Sequence, residues 1–178
     1  MGNFYSNFAT RGPQAAEVVA ALREGRRRAL VTPTVNDITI VYDQAADELD
    51  EAEIDAVGSL LSRGLGCPVL GAAVADDDEL WLVLYEDGKR VVDYSSRGRW
   101  GGTSRICRAF GRSAVIPIVW PLMHLPYVVF ESMRHAAFAR LVGIPNWCVA
   151  TGYRYIAEQE ELPNGLELDD LMRTDDGS

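Results

Sequence analysis

Lysine, histidine and cysteine are scarce in this sequence, and each shortage closes off a chemistry. Lys89 is the only lysine, His124 and His135 are the only histidines, and Cys67, Cys107 and Cys148 are the only cysteines. Three widely spaced cysteines without a C-x-x-C pair make no disulfide framework and fit a reducing compartment. The two histidines have no cysteine at ligand spacing, so zinc-type motifs are absent and no metal is expected. The G-x-S-x-G elbow, the G-K-[ST] ending of a P-loop and the EF-hand loop are missing too. No catalytic residue and no cofactor is therefore expected. A Cys148–His135 thiolate pair would need the fold to bring the two together.

Positive charge is also in short supply. The 17 bases, nearly all arginine, face 26 acids, for a formal net charge of −9. Such a field repels phosphate backbones and anionic lipid and attracts basic partners, although it also serves solubility alone. The opening stretch lacks the pattern of a signal peptide. Met1 to Ser6 matches a myristoylation pattern in letters, but its alternation reads better as a strand. The longest apolar run, Ala114 to Phe130, is interrupted by Pro117, Pro121, His124 and Pro126. Each proline removes a backbone donor that lipid cannot replace, so the run reads as core-facing irregular or short helical structure. A hydrophobic partner surface is the other reading. Together these features describe a cytoplasmic protein with no membrane partner.

The 178 residues suffice to bury a core without staples, and 48% are apolar. Asn3 to Phe8 alternates with period two, as a strand does. Gly12-Pro13 opens a helix with Ala15, Val18, Val19 and Leu22 on one face, and Gly25 closes it. Ala29 to Thr32 and Asp37 to Tyr42 read as strands, with Ile38, Ile40 and Tyr42 sharing a face. Asp50 and Glu53 have capping-box spacing before a helix whose stripe is Ile54, Val57, Leu60 and Leu61 and whose end is Gly64. Three more strands follow: Pro68 to Val74, Leu80 to Tyr85 and Arg90 to Tyr94. Asp87-Gly88 is a hairpin turn, and the uninterrupted apolar run at Leu80 should be covered on both faces.

That order predicts an α+β fold: a ferredoxin-like βαββαβ unit with extra antiparallel hairpin strands, followed by a helical C-terminal region. The expected division is a sheet domain over 1–95, a linker over 96–102 and helices over 103–178 packed on the sheet. Thr103 or Ser104 should cap a helix bearing Ile106, Cys107 and Phe110. A helix from Glu131 to Val142 should turn Met133, Ala137 and Leu141 inward. Gly143 should end it, and Asn146 should cap a further helix to about Glu158. The acidic tail from Leu162 allows one short helical turn and frays from Thr174.

The C-terminal half carries Arg134-His135, Leu141, Gly143-Ile144-Pro145, Trp147, Val149, Gly152-Tyr153-Arg154-Tyr155 and Glu161-Leu162-Pro163. This pattern, with Arg11-Gly12-Pro13 and Pro33-Thr34 nearer the start, resembles a family of uncharacterised bacterial proteins. The resemblance spans most of the chain. It implies a bacterial cytoplasmic origin and brings no activity with it.

Two binding surfaces are legible. The run Asp43 to Asp55 offers Asp43, Asp47, Glu48, Glu51 and Asp55 without an intervening base. It suits a solvated helix start or a docking face for a basic protein. A helix-turn-helix over the C-terminal helices would use Arg134, Arg140, Asn146, Thr151 and Arg154 against nucleic acid. The glutamates at 158, 160 and 161 and the overall charge oppose it, and helix, Gly, Pro, helix is also a common corner. Gly98 to Arg105 could cradle an anion or serve as a linker. The expected function is a non-enzymatic protein-binding protein, immunity- or antitoxin-like, docking a basic partner. A nucleic-acid or nucleotide binder and an enzyme with a composite site stand as alternatives.

Overall fold

Period-two alternation produces the sheet on which the rest is built. The computed structural model describes residues 2–98, 101–126, 128–158 and 162–175. Seven strands are β1 (Tyr5–Arg11), β2 (Ala29–Val31), β3 (Ile38–Asp43), β4 (Val69–Ala75), β5 (Glu79–Glu86), β6 (Lys89–Ser95) and β7 (Met172–Arg173). They form one sheet in the order β6-β5-β4-β1-β3-β2-β7, and every neighbouring pair is antiparallel. The architecture is α+β, as expected.

Six helices are described: α1 (Ala15–Glu24), α2 (Glu51–Leu65), α3 (Thr103–Ala109), α4 (Ile116–Met123), α5 (Glu131–Val142) and α6 (Tyr153–Ala157). Side chains alternate across the sheet, so strands β1 to β5 feed two cores. Phe8, Val31, Val41, Val83 and Tyr85 join Val18 and Leu22 of α1 and Val57 and Leu61 of α2. On the opposite face Tyr5, Ile40, Tyr42, Leu82 and Tyr94 join Ile106, Met123, Phe138 and Ile156 from the later helices. Residues on either side of 96–102 thus share one core. Ile38, Ile40 and Tyr42 lie on one face, and β5 is covered on both, each as the pattern predicts.

Turn chemistry sets the register. Asp87 and Gly88 both have positive φ, 50° and 74°, and close a two-residue loop across which Glu86 faces Lys89. This is the backbone a tight hairpin requires. Gly58 lets α2 approach β5 closely, since a Cβ there would overlap the Tyr85 ring.

Four local readings need correction. The α2 helix runs past Gly64 to Leu65 and ends at Gly66, whose φ of 60° gives the left-handed cap. Asp50 does accept from the Ala52 N–H at 2.8 Å, but Glu53 turns to Arg27 rather than completing a capping box. Gly102, not Thr103 or Ser104, is the cap of α3. The tail is tied down at Thr174, whose Oγ1 accepts from the Ala29 N–H at 2.8 Å, next to the unanticipated strand β7. The rest of the expected frayed end, residues 176–178, lies outside the described residues.

Candidate functional site

Residues 114–130 carry no aspartate, glutamate, lysine or arginine. Pro117 sits in the first turn of α4, where its missing N–H costs nothing. Only Val119 and Met123, one turn apart, are buried by this helix. Large side chains around and after them point outward: Ile118, Trp120, Leu125, Val129, Phe130 and then Met133 on α5 are all exposed. Val129 is 81% exposed and Trp120 55%. A single exposed apolar residue means little, but six from one short stretch mark a contact surface. The segment is therefore only in part the core-facing element expected.

The surface is anchored from beneath by a buried cation. Arg134 is 2% exposed and donates to the carbonyls of Met123 at 3.1 Å and Leu125 at 2.8 Å and to the Tyr94 hydroxyl at 3.2 Å. The Tyr94 hydroxyl itself donates to the Met123 carbonyl at 2.7 Å. Arg134 thus satisfies the end of α4, where a positive charge also suits the helix dipole. Glu131 pairs with it at 3.0 Å. Burial lifts the Glu131 carboxyl above the ordinary range while Arg134 opposes the shift. The helix therefore turns Glu131, Arg134 and His135 inward together with Phe138, Ala139 and Val142; of the residues expected inward, Met133 points outward while Ala137 and Leu141 are half-buried.

An acidic turn borders this surface. The start of α5 is held by Asp77, whose backbone carbonyl accepts from the Glu131 N–H at 2.9 Å. Its Oδ1 accepts from the Ser132 N–H at 3.2 Å. Asp76 and Asp78 in the same turn are exposed, with Asp78 paired to Arg97 at 2.9 Å. Phe130 and Met133 thus lie beside the turn Asp76-Asp77-Asp78-Glu79.

The five carboxylates expected to form a docking face are separated by the fold. Asp43 is buried, paired with Arg27 at 2.6 Å, and its Oδ1 accepts from the Ala45 and Ala46 N–H groups. Asp47 is buried and accepts from the Ser6 N–H at 3.1 Å and the Arg154 N–H at 2.9 Å. Burial raises its carboxyl pKa, and those donors oppose the shift. Burial takes both residues out of any contact surface. Glu51 pairs with Arg90 at 2.6 Å, and Asp55 accepts from Arg90 and from the Tyr85 hydroxyl. Glu48 is exposed.

The helix-turn-helix geometry does not form. After Gly143 the chain makes a 3₁₀ turn over Asn146–Cys148, leaves helical conformation through Ala150 at φ 56°, and resumes only in the five residues of α6. Arg134 and Thr151 are buried, which leaves only Arg140, Asn146 and Arg154 exposed among the expected readers. Without a continuous second helix nothing can lie along a major groove. In the glycine segment, Gly102 packs on Val92. Arg99 and Trp100 lie outside the described residues, as do Glu160 and Glu161.

His135 and Cys148 do not make a reactive pair. Both are buried, and burial pushes the imidazole down to about 4 and the thiol up to about 12. An activated thiolate needs the opposite shifts. The Tyr5 hydroxyl takes His135 Nδ1 at 2.8 Å instead. His124 stacks on Trp120 with ring centroids 4.3 Å apart. Among the described residues no group of three or more His, Cys, Asp or Glu side chains could hold a metal ion. No helix among them is long and apolar enough to cross a membrane.

The signal for the apolar surface was in the sequence as a charge-free run, but its outward orientation was not. Comparison with protein-family models, with curated proteins and with solved structures finds no match for this chain.

Proposed function

We propose that this chain is a non-enzymatic protein-binding protein, immunity- or antitoxin-like in role, that docks a basic partner through an apolar anchor. The observation that carries the reading is the outward display of Ile118, Trp120, Leu125, Val129, Phe130 and Met133. Interface cores are apolar and aromatic, and binding energy concentrates in such side chains. The net charge of −9 and the turn Asp76–Glu79 beside the anchor set the sign of the partner. Like charge disfavours a second copy or an anionic lipid surface, and opposite charge speeds encounter with a basic protein.

The docking face is thereby moved from Asp43–Asp55 to the opposite face of the sheet, where α4 and α5 lie. The frame beneath is a ferredoxin-like unit with added strands and a helical layer from residue 103 onward. The segment order β4-β1-β3-β2, with α1 and α2 together on one face, supports that reading. Three buried free cysteines suit a cytoplasmic setting.

The test uses an 18-residue amphipathic helical peptide of leucine and lysine, its leucine–glutamate counterpart, and anionic phospholipid vesicles. Titrated at low salt, the basic peptide should bind saturably and lose affinity as salt rises. Trp120→Ser with Phe130→Ser should reduce that affinity at least tenfold. Equal binding of the acidic peptide, preference for the vesicles, or an unchanged double variant would contradict the reading.

A further inference from the structure

Trp120 is the largest side chain displayed by the docking surface, and a second ring lies on it. Trp120 and His124 stand one turn apart, and their rings stack with centroids 4.3 Å apart and an interplanar angle of 25°. Side chains at i and i+4 share a helix face, so this spacing brings the two rings together. His124 is half-buried and stands at the end of α4.

The backbone there gives the imidazole a second hold. The last turn of a helix leaves its carbonyls without partners inside it. In α4 these carbonyls belong to Trp120, Pro121, Leu122 and Met123. Arg134 and Tyr94 take the Met123 carbonyl. The Leu125 N–H takes the Leu122 carbonyl at 3.4 Å, and the His124 N–H takes the Pro121 carbonyl at 3.2 Å. The His124 main chain thus serves Pro121 and leaves the Trp120 carbonyl to another donor. The imidazole supplies it: Nδ1–H donates to the Trp120 carbonyl at 2.6 Å. A carbonyl only accepts, so Nδ1 carries the proton in this contact. The hydrogen bond fixes the imidazole to the backbone of the same residue whose indole it covers.

An exposed side chain that is mobile in the free protein must be immobilised when a partner docks, which weakens binding. A ring already held in place avoids that loss. We infer that His124 is a positioning residue, which holds the Trp120 indole in its docking orientation before the partner arrives. The inference rests on the docking surface of α4 and α5 proposed above. The partner meets Trp120, and His124 acts through the indole.

Two readouts test this role, one on the free protein and one on the complex. Heteronuclear NMR relaxation of the tryptophan indole N–H groups of the full chain reads the free state, with the Trp120 signal assigned by its loss in Trp120→Phe. The order parameter of that indole should be about 0.8 in the native chain and fall below about 0.6 in His124→Ala. His124→Phe keeps a ring and should restore rigidity. His124→Gln keeps a donor for the carbonyl without a ring and should not. The leucine–lysine peptide should bind His124→Ala about fivefold more weakly than the native chain, and His124→Phe within about twofold of it. In a Trp120→Ser background the same two substitutions should leave the affinity unchanged. An indole equally ordered in His124→Ala would overturn the inference and leave the docking surface standing. So would rescue by His124→Gln in place of His124→Phe, which is the behaviour of a helix cap, or full peptide affinity in His124→Ala with a mobile indole. A native chain that binds no peptide would overturn the docking reading itself, and the role of His124 with it.

Discussion

Tyr5 on β1 and His135 on α5 stack with ring centroids 5.8 Å apart and join Oη to Nδ1 at 2.8 Å. This contact ties the first strand to the helix that carries Met133 and Arg134, and burial holds His135 neutral.

Acid should therefore loosen the fold through His135. Its folded pKa of about 4 lies below the ordinary 6.5, so the unfolded chain takes up the proton first. The stability this neutral group contributes is complete above about pH 6.5 and falls as pH drops towards 4. The loss is on the order of 3 kcal/mol. Urea midpoints at intervals from pH 7.5 to 4 should fall less steeply for His135→Gln than for the native chain. Parallel curves would contradict this account.

Asp47 should matter for stability although it lies in the most acidic stretch of the chain. Its two oxygens take the Ser6 and Arg154 N–H groups, and Gly152 leaves the room it needs. Asp47→Ala strands the buried Ser6 donor and the half-buried Arg154 donor and should cost about 2 to 4 kcal/mol. Glu48→Ala next to it should change stability by less than about 0.5 kcal/mol. Chemical denaturation of the two variants compares them directly.

Arg134 supports the docking surface without belonging to it. Arg134→Met leaves Glu131 buried without its guanidinium and frees the Leu125 carbonyl. It should cost about 3 to 5 kcal/mol. The double variant Glu131→Gln with Arg134→Met removes the stranded charge and should recover part of that loss. A double variant no more stable than Arg134→Met would contradict a coupled pair.

The anchor residues should show the opposite profile. Trp120→Ser and Phe130→Ser remove exposed side chains and should each shift stability by less than about 0.5 kcal/mol. The double variant should lower the tendency of the protein to self-associate or adhere at high salt, where charge repulsion is screened. Analytical ultracentrifugation across a salt series measures this.

Local patterns carried the sheet and the first two helices because burial there follows strict periodicity. Val18, Leu22, Val57 and Leu61 recur at helical spacing and face one core as expected. The later helices were harder to read. In α5 the buried face carries Glu131, Arg134 and His135 beside Phe138, Ala139 and Val142, so polarity displaced the expected face towards Met133. Their burial depends on Tyr5, Tyr94 and the end of α4, partners far away in sequence. Between Asn146 and Glu158 the positive φ of Ala150 breaks a helix that composition alone favours. The acidic run at Asp43 read as a surface because a sequence does not show that Arg27 and the N–H groups of Ser6 and Arg154 meet it. The strand β7 was invisible because two residues, Met172 and Arg173, carry no periodicity.

Amide hydrogen exchange of the full chain, with and without the leucine–lysine peptide, locates the contact most directly. Docking on α4 and α5 predicts added protection confined to residues 116–133 and the turn Asp76–Glu79, lost in Trp120→Ser with Phe130→Ser. Protection centred on residues 43–55, or none at saturating peptide, would contradict it.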